Sequence, residues 1–213
     1  MSYDSEVARQ LVAVCRGLYE KGFVTATDGN VSVRLPSGNI LTTPTSLNKG
    51  RVSKADLVEV TLDAKTVSKH RKPSMELGMH LFIYQQRSDV HAVVHAHPTY
   101  ATGFATARIP LDKHLLPEVI FGLGSIPLAR YATPSTKEVA ESIAPYVKSS
   151  SAILLENHGV VTFGKDLDDA FFKMEKVEHA AHIAFVARLL GGERSLSPAE
   201  VTKLFATFGK QQS

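Results

Sequence analysis

The run Asp89-Val90-His91-Ala92-Val93-Val94 constrains the fold more than any other stretch. It is short, rich in β-branched residues and preceded by polar ones, so it reads as a buried strand, which commits the chain to a sheet covered on its faces. The strand leads directly into His95-Ala96-His97. Residues i and i+2 of a strand share a face, so the two imidazoles project side by side from a rigid support. A third histidine, His158, stands in Asn157-His158-Gly159 at the end of the apolar run Ala152-Ile153-Leu154-Leu155, where Gly159 lets the backbone turn sharply. Three protein ligands that leave one position open are the arrangement of a catalytic metal site rather than a structural one. A His-x-His pair alone is also ordinary polar chemistry at a strand end; the third histidine is what favours a metal. His70, His80, His91 and His114 have no partner at ligand spacing. His179 and His182, three apart on a helix beside Glu175 and Glu178, read as a solvated or ion-paired face.

Around that strand the chain alternates helices and hairpins. A first helix is expected from Asp4 to Tyr19, with Val7, Leu11, Val14, Cys15 and Leu18 as its apolar stripe and Gly22 as its stop. Strand Val31 to Leu35, the turn Pro36-Ser37-Gly38-Asn39 and strand Ile40 to Thr43 predict a hairpin. A further strand is predicted at Leu57 to Leu62, and helices at Glu76 to Gln86 and Thr99 to Ala107. Residues Ile109 to Ala132 carry Gly122, Gly124 and three prolines and read as irregular. Ser135-Thr136-Lys137-Glu138 has the capping-box pattern and opens a helix to Val147. Helices from Asp166 to Leu190 and from Ser197 to Phe208 complete the chain. This mixture implies a mixed or mostly antiparallel sheet with helices on its faces, within a single domain spanning residues 1–213.

Composition excludes several function classes. No apolar run is long enough to span a bilayer, and Met1-Ser2-Tyr3-Asp4 does not open a secretory signal, so no membrane role is expected. One cysteine, Cys15, cannot form an internal disulfide, which makes the cytoplasm the default location. Lys49, Arg51, Lys54, Lys65, Lys69, Arg71 and Lys72 cluster, but Asp56, Glu59 and Asp63 interrupt them and no aromatics interleave. The cluster reads as a solvated surface, and no nucleic-acid partner is expected. Ile109 to Phe121 is long, punctuated by prolines and more apolar than a solvated loop should be.

A metal with an open position can polarise a carbonyl or hydroxyl oxygen and stabilise an enediolate. Glu76 lies at a helix start, where it is either the proton-transferring base or simply a carboxylate facing the positive end of the helix. Thr27-Asp28-Gly29-Asn30 and Thr43-Pro44-Thr45-Ser46 offer hydroxyls, an amide and backbone N–H groups in tight turns, the kind of concave donor run that binds phosphate. Ser74 adds a hydroxyl at the start of the Glu76 helix. Together these residues suit a sugar phosphate.

Gly29-Asn30-Val31-Ser32, Thr43-Pro44-Thr45, Pro73-Ser74-Met75-Glu76, His95-Ala96-His97 and Asn157-His158-Gly159 occur in the order and spacing of the class II aldolase/adducin family, which the chain resembles from about residue 5 to residue 208. The resemblance implies an α/β fold, a three-layer α/β/α sandwich around a largely antiparallel sheet, assembled as a homotetramer with active sites between subunits. It implies one divalent metal per subunit, zinc with manganese as the alternative, on His95, His97 and His158, with Glu76 as the acid/base residue. Thr27, Gly29, Asn30, Thr45, Ser46 and Ser74 would surround the phosphate. The implied reaction is retro-aldol cleavage of a ketose 1-phosphate, such as L-fuculose 1-phosphate, to dihydroxyacetone phosphate and an aldehyde. Dehydration, decarboxylation or epimerisation of a sugar phosphate on the same site, and a non-catalytic adducin-like module, are the alternatives. Four positions depart from the family aldolases: Met75 and Ser46 replace a serine and a glycine, residues 114–118 contain no tyrosine, and Phe208 stands where a C-terminal tyrosine is usual. Glu76 itself speaks against the epimerase branch, which carries aspartate there.

Overall fold

A computed structural model describes residues 5–68 and 70–208. Its seven strands are β1 (Asn30–Arg34), β2 (Ile40–Thr42), β3 (Val58–Val60), β4 (Ala92–Ala96), β5 (Leu128–Ala129), β6 (Ala152–Leu155) and β7 (Gly159–Gly164). They form one sheet in the order β3-β2-β1-β4-β7-β6-β5. Every pairing is antiparallel except that of β5 with β6. The helices are α1 (Ser5–Glu20), α2 (Leu77–Gln86), α3 (Thr99–Thr106), α4 (Pro117–Gly122), α5 (Lys137–Val147), α6 (Leu167–Leu189) and α7 (Pro198–Phe208). No helix among the described residues is long and apolar enough to cross a membrane.

Alternation along the strands splits the core in two, because successive side chains point to opposite faces. Val31, Val33, Val94, Ala96, Leu154 and Val160 pack with the buried faces of α1, α3 and α6. Ile40, Val58, Val93, Ile153, Val161 and Phe163 pack with α2 and α5. The result is the expected three-layer α/β/α sandwich.

The β1 face toward α2 is polar, and its spacing explains why α2 sits where it does. Asn30, Ser32 and Arg34 recur every second residue, and Glu76, His80 and Tyr84 every fourth. Two strand residues rise about 6.6 Å and four helical residues about 6 Å, so the two series stay in step. Asn30 Nδ2 donates to Glu76 Oε2 at 2.9 Å, Ser32 Oγ lies 2.7 Å from His80 Nδ1 and 2.8 Å from Tyr84 OH, and Arg34 donates to the Tyr84 carbonyl at 2.8 Å.

Several expectations shift. Strand β7 lies outside the predicted elements, although it pairs with β4 along its whole length, Ala92↔Gly164 to Ala96↔Val160. Its glycines at both ends read as turn signals, whereas here they permit close packing within a fully buried strand. Residues 109–132 are not wholly irregular: they hold α4, opened by Pro117 in its first turn, and the two-residue β5. The α5 cap is Thr136, whose hydroxyl accepts from Glu138 N–H, while Ser135 stands just outside at φ 66°. The strand predicted from Leu57 to Leu62 is only Val58–Val60. Asp4, expected to open α1, and Lys69 of the basic cluster lie outside the described residues. Cys15 is fully buried, as its place on the α1 stripe requires.

Candidate metal and anion site

The site sits at one end of the central strands β1, β4 and β7. His95 is the fourth residue of β4 and is wholly buried. Its neighbour across β1 is Asn30, and across β7 it is Val161. His95 Nδ1–H donates to the Val160 carbonyl at 2.9 Å, which orients the ring and turns Nε2 toward Glu76 and His97. His97 stands one residue past the strand, since its backbone N–H leaves the ladder to reach the Phe23 carbonyl. The departure does not separate the rings: His97 Nε2 lies 3.1 Å from His95 Nε2. His158 occupies the β6–β7 turn after Asn157, whose φ is 53°. Its ring centroid is 4.7 Å from that of His95 and 5.2 Å from that of His97.

These three histidines present ligand atoms all within 4.8 Å of one another and can hold a metal ion. Two nitrogens about 2.0–2.1 Å from a tetrahedral ion stand about 3.3 Å apart, so the observed separation fits. Glu76 carboxylate oxygens lie 3.3 Å from His95 Nε2 and 3.1 Å from His158 Nε2, close to the same edge length. The donor set therefore suits a divalent cation.

Glu76 is the residue before α2, and its side chain makes no capping hydrogen bond to that helix. Its carboxylate turns to the histidines and Asn30 rather than to the end of the helix. Burial would raise its pKa, but the charge of His95 and hydrogen bonds from His158 and His95 outweigh burial and hold the carboxyl well below the usual carboxylate range. For His95, burial opposes protonation and the Glu76 carboxylate overcomes it, so its pKa rises. His97 goes the other way: burial first, then the neighbouring imidazoles, push it down to about 3. A neutral imidazole is the form that ligates a metal.

Beside the histidines opens a cleft of about 240 Å³. Thr27, Gly29, Asn30, Thr45, Ser46 and Ser74, the six residues read from sequence as phosphate donors, all line it with Glu76, His97 and His158. The loops that carry them are tied together: Thr45 N–H donates to the Lys72 carbonyl, Ser74 N–H to the Thr43 carbonyl and Glu76 N–H to Ser74 Oγ. Gly29 has φ 70°, and a Cβ there would stand 2.8 Å from the His95 carbonyl and 2.5 Å from Val24. Only glycine lets this loop approach β4 so closely. Ser46 adopts φ 55°, a left-handed conformation that favours glycine and costs about 1–2 kcal/mol otherwise.

Two further side chains in the cleft were not among the site residues named from sequence. Asp28 approaches His97 Nδ1 at 3.9 Å. Lys49, read from sequence as one of a solvated basic cluster, is only 2% exposed and lines the cleft. Its one sequence signal is its place four residues after Thr45, where the surrounding basic residues mask it. Met75 lines the cleft mouth and is 71% exposed. Phe208 packs beside Phe121, ring centroids 5.6 Å apart, and does not line the cleft. His179 and His182 stay outside it: His182 stacks on Tyr100 at 3.9 Å, and Glu178 accepts from the Tyr100 and Ala101 N–H groups at the start of α3.

Comparison with known proteins places this geometry in a family. Residues 9–185 match the model of the class II aldolase and adducin N-terminal domain. The chain belongs to the class II aldolase/adducin family. Among its relatives is L-fuculose phosphate aldolase of Methanococcus maripaludis strain S2, 36% identical over 83% of this chain and 95% of that protein. Another is 3-oxo-tetronate 4-phosphate decarboxylase of Escherichia coli O6:H1 strain CFT073, 32% identical over 94% of this chain and 96% of that one. The solved structure of an L-fuculose 1-phosphate aldolase superposes with a TM-score of 0.89, at 32% identity and 97% coverage of both chains. The three-layer sandwich is thus that of class II aldolases.

Proposed function

We propose that the protein is a metal-dependent aldolase that cleaves a ketose 1-phosphate of the L-fuculose 1-phosphate type to dihydroxyacetone phosphate and an aldehyde. One observation carries the reading: the three histidines, with Glu76 against them, open into the same cleft as six hydroxyl, amide and backbone donors. His95, His97 and His158 would hold the ion, zinc or else manganese, whose chemistry there is to polarise the C2 carbonyl and stabilise an enediolate. Thr27, Gly29, Asn30, Thr45, Ser46 and Ser74 bind the phosphate and fix the distance from it to the reacting carbons. As the C3–C4 bond breaks, its electron pair passes to C3 and C2, and the C4 hydroxyl loses a proton as C4 becomes the aldehyde. The ionised Glu76 carboxylate takes up that proton, directly or through solvent, and then delivers one to C3, so the proton count closes. Asn30, donating to Glu76 Oε2, holds the carboxylate beside the histidines.

Screening ketose 1-phosphates for dihydroxyacetone phosphate release, with metal added back, tests the reaction. Glu76→Gln tests the mechanism: a loss on the order of 10²–10⁴-fold in kcat with little change in KM is expected. A variant within about threefold of the wild-type rate would remove Glu76 from it. His95→Ala is expected to lose metal and activity together. A second reading, decarboxylation of a 3-oxo acid phosphate, draws on the decarboxylase relative, which matches more of this chain than the aldolase relative does. Carbon dioxide release from such a substrate, without aldehyde, would favour it. We further place the enzyme in the cytoplasm as a homotetramer near four times 23.2 kDa, with light scattering as the check. The exposed Phe185, Val186, Leu189 and Leu190 toward the end of α6 support assembly.

A further inference from the structure

Lys49 is a buried cation with no carboxylate at ion-pair distance among the described residues. Its ammonium donates to the Thr27 carbonyl at 2.9 Å and to the Leu47 carbonyl at 2.7 Å. An ammonium has three donors, and among the described residues no third acceptor and no carboxylate within ion-pair distance serves this one. Lysine is almost never fully buried unless paired, because removing its charge from water is costly. The two carbonyls it holds belong to the two loops whose Thr27, Gly29, Thr45 and Ser46 line the cleft, and Lys49 lines that cleft with them. Every other donor in the cleft wall named for phosphate is neutral.

We propose that Lys49 is the charged ligand of the anion subsite, its ammonium serving as counter-ion to the substrate phosphate while its other two N–H groups hold the two phosphate loops in register. The inference rests on the sugar-phosphate reading and adds to it a positive charge among the residues that line the subsite. Burial lowers the Lys49 pKa, and the nearby Asp28 and Glu76 carboxylates oppose that shift. A dianionic phosphate acts in the same direction as those carboxylates and stabilises the ammonium further. A bound phosphate therefore satisfies the charge that the fold buries.

The competing role is purely structural, a pin between two loops. Calorimetric titration of zinc-loaded protein with inorganic phosphate separates the two. Lys49→Gln keeps a donor but loses the charge; it is expected to retain zinc and to weaken phosphate binding at least tenfold, whereas Lys49→Arg recovers most of the affinity. A folded, zinc-replete Lys49→Gln protein whose phosphate affinity stays within threefold of wild type would overturn the assignment and leave the aldolase reading standing. If the wild type itself fails to bind phosphate, the phosphate subsite falls, and this inference with it. Should Lys49→Gln not fold, the wild-type Lys49 Nζ resonance, assigned by its loss in Lys49→Arg, is the second readout. It is expected to shift on phosphate titration, and an unmoved resonance at saturating phosphate would overturn the proposal.

Discussion

Replacing Gly159 by alanine is expected to disable the histidine set without altering any of the three histidines. Gly159 opens β7 directly after His158, opposite Leu155 in the β6–β7 hairpin. A Cβ at this position would stand 2.5 Å from His97 Cδ2 and 2.6 Å from the Ala96 carbonyl oxygen. Carbon atoms at rest are about 3.5–4.0 Å apart, so the His97 ring must retreat by about 1 Å or more. The Ala96 oxygen has less freedom, because Ala96 is paired with Val160 in the central ladder and cannot move without disturbing it. Overpacking of this kind costs about 1–3 kcal/mol. A metal held by the three histidines would be less forgiving than the fold: ligand distances hold to about ±0.2 Å, and disturbing a ligand's support costs about 10–100-fold in affinity. The assay is a chelator competition for zinc alongside thermal melting, on wild type and Gly159→Ala. A variant that melts with the wild type and binds zinc within about threefold of it would refute the reasoning, since it would mean that glycine is not needed for His97 to reach its place.

Three further outcomes follow from single positions. Gly103 lies exposed inside α3, and a methyl added there would meet nothing within 4 Å, so Gly103→Ala should stabilise by about 1 kcal/mol and raise the melting temperature by about 2–4 °C. Ser46→Gly should release left-handed strain and gain about 0.5–1 kcal/mol in a denaturant titration, after the entropic cost of glycine. His80 is buried, and burial lowers its pKa from 6.5 to about 3. The unfolded chain therefore takes up a proton there that the fold refuses, and stability present above pH 6.5 is lost as pH falls toward 3. By pH 5 the loss is about 2 kcal/mol, and stability measured against pH should fall less steeply in His80→Gln, by up to one proton.

What the sequence disclosed and what it hid divide along a physical line. His95, His97 and His158 were legible because ligand chemistry restricts the residue type and a strand dictates which faces are shared. The hairpin of β1 and β2 was legible from alternation and a strong turn signal. β7 was hidden because a fully buried strand does not alternate, and the glycines at its ends serve close contacts rather than turns. Lys49 was hidden for the opposite reason: a lysine among basic neighbours has the pattern of solvent exposure, and only the three-dimensional approach of residues 27 and 47 to its ammonium reveals burial. The two roles left open for Glu76 could be separated only by where its carboxylate points, which depends on β1 and β4 being neighbours.

The order of strands also sets when the site comes into being during folding. β1 finds β2, and β6 finds β7, across short turns, so each hairpin can close early and locally. β4 has no such partner; both of its neighbours are distant in sequence, so it joins the sheet by long-range pairing. One hairpin delivers Asn30, the other brings His158 in its own turn, and β4 contributes His95 and His97. The three histidines come together only when β4 pairs with β7, so an intermediate without that pairing cannot capture an ion at this set and become trapped around it. Uptake of zinc during refolding should accordingly lag hairpin formation and coincide with closure of the central sheet.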